Sequence, residues 1–314
     1  MKYAKLKNTE INASKIVLGT ALFGTEISEK ESFELLDFFF EQGGNAIDTA
    51  NCYADWLSKE KQMSEKTIGK WLLESGLRDK AVIFTKGGHF DLETKMPRLE
   101  ERLVKEDLEK SFVNLKTDYI DLYYLHKDDK TKSPQELIAM LNAAVKGFKV
   151  GALGVSNWSL DRIEEANRYA AREGLRPIVA SQIQYSVARI NATPDDILAM
   201  DEREYEGYCK TDLNLFAFSS QARGLFSVME KGCLPEKYSS YNNEYNFSLF
   251  ERLKEASLGK GVTAAQMALS SLISDEKLNV FALVGAKNTQ QLGLCTSAAD
   301  ISLTQSEREY ILKG

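Results

Sequence analysis

A chain of 314 residues, 43% hydrophobic and 27% charged, is long enough for one large barrel or two smaller domains and apolar enough to bury a sizeable core. Its net charge of −6 with no Lys/Arg block lacks the positive footprint that nucleic acid or an anionic membrane needs, so chemistry on small molecules is expected. Cys52, Cys209, Cys233 and Cys295 have no C-x-x-C spacing and fit reduced thiols in a cytoplasmic protein; the start MKYAKLKNTE has no apolar leader, and no apolar run reaches the about eighteen residues of a membrane span.

In chain order, YAKLKNTEINASK reads as a small hairpin with Asn8 near its turn, placed to close a barrel floor. IVLG (16–19) is the first strand candidate. Ser28 and Glu31 form a capping-box pattern opening SEKESFELLDFFFEQGG, which Gly43 and Gly44 stop and whose FFF (38–40) is core. AID (46–48) and VIFT (82–85) are the next strands, and 97–116 then repeats apolar residues at helical spacing. IDLYYL (120–125) is the most apolar strand, followed by a helix that Ser133, Pro134 and Glu136 initiate. LGVS (153–156), a helical 159–173, VASQI (179–183), LFAFS (215–219) and VFALVG (280–285) complete eight strands. Segments 186–212 and 234–246 lack a period and are expected as long top loops. Thr304 and Glu307 open a short terminal helix that reaches the mouth little, leaving an open, permissive pocket.

This alternation implies a parallel sheet, and eight units in about 300 residues imply a (β/α)₈ TIM barrel in one domain over 1–314, without linker or internal repeat. A doubly wound open sheet is the weaker reading, because GTALFG (19–24) lacks the G-x-G-x-x-G phosphate loop.

Barrel enzymes build their sites from the carboxyl ends of strands. Asp48, Lys86 and His126 end strands two, three and four, and Tyr53 lies in the loop after strand two. Such a set can reduce a carbonyl. An ammonium at roughly 4 Å in an effective dielectric of about 20 attracts a phenolate by up to about 4 kcal/mol, enough to move Tyr53 by up to about three pKa units towards neutrality. Asp48 would keep Lys86 charged, His126 would donate to the substrate oxygen, and Tyr53 would deliver the proton, a step worth about 10² to 10⁴ in rate. The electrons must come from a bound cofactor.

These residues lie in IDTANCYADW (47–56), FTKGG (84–88) and YIDLYYLHKDD (119–129). With MSEKTIGKWL (63–72), GALGVSNW (151–158), ASQIQYS (180–186), FAFSSQARGLF (216–226) and FALVGAKNTQQL (281–292), the chain resembles the aldo-keto reductase superfamily from about residue 14 to residue 300. The resemblance implies a barrel binding NADPH without a Rossmann fold, with NADH as the lesser option, and reversible reduction of aldehydes or ketones. It implies the tetrad Asp48, Tyr53, Lys86 and His126; Ser156, Asn157 and Gln182 at the nicotinamide carboxamide; and Phe218, where relatives more often have tyrosine, under the ring. Ser219, Gln221, Arg223 and Gly224 would line the pyrophosphate path, Gly285 and Lys287 the adenosine 2′-phosphate, and Gln291 the adenine. After Gln291 the chain reads Gly293, Leu294, Cys295 where many relatives carry an acidic residue and an asparagine, so adenine must be held differently.

Phe23, Trp56, Phe90 and Trp158 are candidates for an apolar substrate cleft. His89 reads as a loop histidine and Cys52 as an inert thiol; two histidines without H-x-H or paired carboxylates predict no metal site. Two other functions fit the fold: a Schiff-base lyase using Lys86, which a carboxylate partner opposes, and a nucleotide-binding regulatory subunit with little turnover.

Overall fold

In the computed structural model, which describes residues 1–230, 232 and 234–313, eight parallel strands close into a barrel with helices around it. Cys233 lies outside the described residues. A hairpin of β1 (Tyr3–Lys5) and β2 (Asn12–Ser14) precedes the wall strands β3 (Ile16–Gly19), β4 (Ala46–Asp48), β5 (Val82–Gly87), β6 (Ile120–Leu125), β7 (Val150–Ser156), β8 (Ile178–Gln184), β9 (Asn214–Phe218) and β10 (Asn279–Val284). Neighbours in sequence are neighbours in the wall, and β10 pairs with β3 to close it. The helices α1 (Glu29–Glu41), α2 (Met63–Ser75), α3 (Glu101–Leu115), α4 (Pro134–Ala144) and α5 (Leu160–Glu173) each follow one of β3 to β7. Then α6 (Glu202–Tyr208) precedes β9, while α7 (Leu225–Met229), α8 (Glu244–Leu258) and α9 (Ala264–Ile273) lie between β9 and β10, and α10 (Thr289–Ser297) and α11 (Gln305–Lys313) follow.

The wall strands are buried on both faces, which is why they read as apolar runs and not as alternations. Inside the barrel the Phe216 ring lies 5.0 Å from Phe84, 4.9 Å from Phe281 and 5.8 Å from Tyr124. Truncating Phe216 to alanine would cost about 3–5 kcal/mol. The hairpin seals the floor below these rings. Leu6 and Ala13 are fully buried in the same cluster, and the Asn214 side chain accepts from Lys7 N at 2.8 Å and donates to Lys7 O at 3.1 Å. Asn8 takes a left-handed turn conformation, φ 61°.

The capping boxes at Ser28–Glu31 and Ser133–Glu136 form as the sequence signals. The two expected top loops contain more structure than periodicity suggests. Residues 186–212 include α6, whose Asp201 side chain caps the Glu204 amide at 2.7 Å, and 234–246 include a 3₁₀ turn and the Asn243-capped start of α8. Seven residues are too few to establish a helical period, so α6 escapes a reading by periodicity. The terminal helix packs outside the wall. Arg308 of α11 pairs with Asp275 and donates to Ser271 O at 2.9 Å, holding α11 near the floor end of β10 and away from the mouth. Among the described residues no helix is long and apolar enough to cross a membrane.

Candidate active site

Period two along the strands selects what faces the axis. Two residues beyond the interior positions Ala46, Phe84 and Tyr124 come Asp48, Lys86 and His126, so the layer above the aromatic core is polar. The loop after β4 folds back over this layer. Thr49 N donates to Phe84 O at 2.9 Å, Asn51 N to Lys86 O at 2.8 Å and Tyr53 N to Ala50 O at 3.0 Å, which brings the Tyr53 phenol over the end of β5.

Lys86 is sealed from solvent, and its ammonium spends all three donors: on Asp48 Oδ2 at 2.7 Å, the Thr49 carbonyl at 2.7 Å and Tyr53 Oη at 3.1 Å. The other Asp48 oxygen accepts from Gln182 Nε2 at 2.8 Å. Burial pushes Lys86 down and Asp48 up, each opposed by attraction to the other. The donor pattern is that of an ammonium on a carboxylate, and breaking it would strand a buried charge.

His126 closes the set. Its ring centroid is 5.7 Å from that of Tyr53, edge to face. Burial first, then His89, Lys86 and Lys127, hold its pKa well below the ordinary histidine range, so it is a neutral imidazole. Cys52 Sγ lies 3.5 Å from His126 Nδ1, and burial pushes that thiol up to about 12. A protonated thiol facing Nδ1 makes it the acceptor, leaving the ring proton on Nε2.

The expected acidification of Tyr53 does not occur. Burial first, and then the Asp48 charge, raise its pKa well above the phenol range. The ammonium that was to lower it is already neutralised by Asp48 at 2.7 Å, so desolvation of the phenolate dominates. Tyr53 is a phenol at every ordinary pH.

The residues assigned to a dinucleotide lie around the same mouth. Ser156 and Gln182 are buried at neighbouring positions of β7 and β8, and Ser156 Oγ donates to Gln182 O at 3.0 Å. Asn157 is engaged at both ends, donating to Ser156 Oγ at 3.1 Å and accepting from Leu198 N at 3.2 Å. Phe218, half-buried, continues the interior face of Phe216 upward. Ser219, Ala222, Arg223 and Gly224 all have positive φ, between 47° and 83°, so the backbone turns sharply after β9. Gly285 faces open space where a Cβ would meet nothing within 4 Å, and exposed Lys287 makes no ion pair with any described residue. Gln291 Oε1 accepts from Lys287 N at 2.9 Å, and Cys295 ties the region together, receiving Gln221 Nε2 at 3.0 Å and donating to Gln291 O at 3.2 Å.

Of the four cleft aromatics, only two face the mouth region. Trp56 is 50% exposed and Phe90 half-buried. Phe23 and Trp158 are corrections: they are 1% and 0% exposed, packed in the clusters behind the wall, with Trp158 Nε1 donating to Lys127 O at 3.2 Å. Neither offers a face to a ligand. Their loop positions suggested exposure, but loops between a barrel and its helices also plug the space between layers. Sequence reasoning also missed Glu65, a fully buried carboxylate of α2 that receives Thr85 Oγ1 at 2.6 Å and Asn114 Nδ2 at 3.1 Å and braces β5 from outside.

A model of the Aldo/keto reductase family matches residues 15–313. Norsolorinic acid reductase B of Aspergillus parasiticus is 31% identical over 95% of this chain and 79% of its own. Norsolorinic acid reductase stcV of Emericella nidulans is 28% identical over 95% and 77%, and an aryl-alcohol dehydrogenase of Pestalotiopsis microspora 28% over 98% and 80%. With the closed barrel and the match over nearly its whole length, the chain is an oxidoreductase of carbonyl or alcohol groups and belongs to the aldo/keto reductase family.

Proposed function

We propose that the chain reduces an aldehyde or ketone to the alcohol with NADPH, Tyr53 acting as general acid. One observation carries this reading: Lys86 donates to Tyr53 Oη at 3.1 Å, so the phenol oxygen is an acceptor there and the phenol keeps its own proton to pass to a substrate oxygen. Asp48 and Thr49 O take the other two ammonium donors, which fixes Lys86 beneath the phenol. His126, neutral and with its proton on Nε2, orients the carbonyl oxygen by donating to it. NADPH, when bound, supplies the hydride.

The raised pKa of Tyr53 is compatible with this role. Hydride addition leaves an alkoxide about as basic as hydroxide, a far stronger base than an ordinary phenolate. The phenol therefore faces a strongly basic oxygen, and the phenolate left after proton transfer meets Lys86 at once. For the coenzyme, Ser156, Asn157 and Gln182 would hold the carboxamide, Phe218 the ring, and Ser219, Gln221, Arg223 and Gly224 the pyrophosphate. Open space at Gly285, with Lys287 beside the Asn288-capped start of α10, suits the 2′-phosphate, the support for NADPH over NADH. Gln291 anchors the Lys287 turn and would lie by the adenine.

Trp56 and Phe90 offer aromatic faces, and one relative is named for aryl alcohols, so aryl aldehydes are the substrates to assay first. A Schiff-base role for Lys86 is disfavoured because its nitrogen is fully buried with every donor engaged. In the test, Tyr53→Phe lowers kcat for NADPH-dependent reduction about 10² to 10⁴-fold and leaves the coenzyme Kd unchanged. Unchanged turnover removes Tyr53 as the acid, and no turnover by the parent with any carbonyl favours a regulatory role.

A further inference from the structure

Cys52, His89 and His126 meet beside Tyr53, from the loop after β4, the loop after β5 and the end of β6. One ligand atom from each lies within 4.8 Å of the other two, and Cys52 Sγ is 3.5 Å from His126 Nδ1. Tetrahedral zinc, with Zn–S of about 2.3 Å and Zn–N of about 2.0 Å, spaces sulfur and nitrogen by roughly 3.5 Å and two nitrogens by roughly 3.3 Å. The thiol and the His126 imidazole already stand at ligand spacing, and one His89 nitrogen lies within 4.8 Å of a ligand atom on each.

His89 is also oriented as a ligand. Its Nδ1 is 2.9 Å from the Phe90 carbonyl, so that nitrogen carries the proton and Nε2 presents a bare lone pair. Metal-binding histidines are held in this way, the second nitrogen donating to a backbone carbonyl. Among the nearby cations, Lys86 is countered by Asp48 and Lys127 by Asp196, while Lys95 also lies by His89. Asp55, Asp107 and Glu65 add negative field at Cys52. A cavity of about 300 Å³ lined by Cys52, Lys86, His89 and Phe90 gives an entry path.

The geometry points to a site for one borderline-soft divalent cation, Zn²⁺ in type, held by Cys52 Sγ, His89 Nε2 and His126 Nδ1 with a fourth position open to water, whose loading arrests turnover. Binding converts the Cys52 thiol to a metal thiolate, its proton going to solvent and metal-bound waters leaving; no electrons move. Three protein ligands of mixed N and S with one open position are what zinc accepts in its non-structural sites. An ion on His126, whose ring centroid is 5.7 Å from that of Tyr53, puts a hydrated dication where a carbonyl oxygen must approach both groups. The arrest rests on the proposed reductase activity; the binding does not.

The full-length chain, reduced and stripped with chelator, is titrated with Co²⁺. One equivalent is expected to give a thiolate-to-cobalt charge-transfer band and tetrahedral d–d bands, with Cys52→Ala losing the charge-transfer band and His89→Ala binding at least tenfold more weakly. An octahedral spectrum without the charge-transfer band, or the parent spectrum in Cys52→Ala, overturns the site. In the second arm, Zn²⁺ is titrated into carbonyl reduction, each variant scaled to its own metal-free rate. Chelator-reversible loss in the parent, needing at least tenfold more zinc in His89→Ala, supports arrest. Cobalt binding as expected with reduction unaffected by zinc overturns the arrest and keeps the site, and a parent without reductase turnover but with the cobalt spectrum separates failure of the functional reading from failure of the site.

Discussion

Replacing Asp48 with asparagine removes one charge from a pair whose side chains are 1% and 0% exposed. Lys86 keeps the Thr49 carbonyl and the Tyr53 hydroxyl but loses its countercharge. Desolvation already pulls its pKa down against the Asp48 attraction, so without Asp48 the folded protein escapes by releasing the ammonium proton. At pH 7 that release costs about 1.36 × (10.4 − 7), roughly 4.6 kcal/mol, within the about 3–5 kcal/mol typical of breaking a buried pair. An unfolding entropy of about 2.1 cal/mol/K per residue sums to about 0.66 kcal/mol/K for 314 residues, so a loss of about 3–5 kcal/mol lowers Tm by about 5–8 °C. The double variant Asp48→Asn, Lys86→Met removes both charges and is expected to recover most of the loss.

The pH dependence is the sharper measurement. Between the depressed folded-state pKa of Lys86 and about 10.4, the unfolded single variant binds more protons than the folded one. Its stability therefore rises with pH in that window, by about 1.36 kcal/mol per unit, and is lowest below it. The double variant lacks this group, so urea unfolding of both at pH 7 and pH 9 isolates Lys86. The gap between them should narrow, by up to about 2.7 kcal/mol. A gap that stays constant would refute the claim that Lys86 is a buried charge held by Asp48.

Because burial and Asp48 keep Tyr53 protonated, kcat/KM for reduction should show no descending limb between about pH 6 and 9; a limb with an apparent pKa near 7 assigned to Tyr53 would restore the acidified phenol that the structure denies. Lys287→Ala should weaken NADPH about tenfold, about 1.4 kcal/mol, in a fluorescence titration while leaving NADH unchanged; equal losses for both coenzymes would remove the 2′-phosphate assignment. Arg308→Ala leaves buried Asp275 with only neutral donors from Tyr205, Lys277 and Leu278. Chemical denaturation should show a loss of about 3 kcal/mol with unchanged turnover at low temperature, and a loss below about 1 kcal/mol would mean that α11 is not anchored through this pair.

What the sequence discloses depends on how local the determining physics is. A strand's facing pattern follows from its own period, so Asp48, Lys86 and His126 could be placed at one mouth from residues 46–48, 82–86 and 120–126 alone. Capping boxes span four residues and were equally legible. Trp158 and Phe23 were misjudged because burial of a loop side chain depends on which helix packs over it, information carried by neither neighbour in sequence. The Tyr53 pKa was misjudged for a related reason. An ammonium lowers it only if its charge is uncompensated, and the balance among Lys86, Asp48 and water exclusion exists only once the loop 49–56 has folded over β5.

The same distinction separates two kinds of polar contact in the site. Asp48 and Gln182 stand 134 residues apart, yet Asp48 ends β4 and Gln182 lies near the end of β8, both with side chains inward, so barrel closure brings them together at 2.8 Å. That contact is the product of two local patterns and one global closure. The Cys52–His89–His126 cluster needs more, since two of its members sit on loops whose course depends on turns and on where Phe90 O falls to fix the His89 tautomer. Spacing along the chain carried no trace of it, and a search for metal motifs by spacing passes it over. Loop-built clusters on a barrel mouth are therefore where function unread by sequence is most to be sought, because the scaffold holds the strand ends while the loops are free to add chemistry.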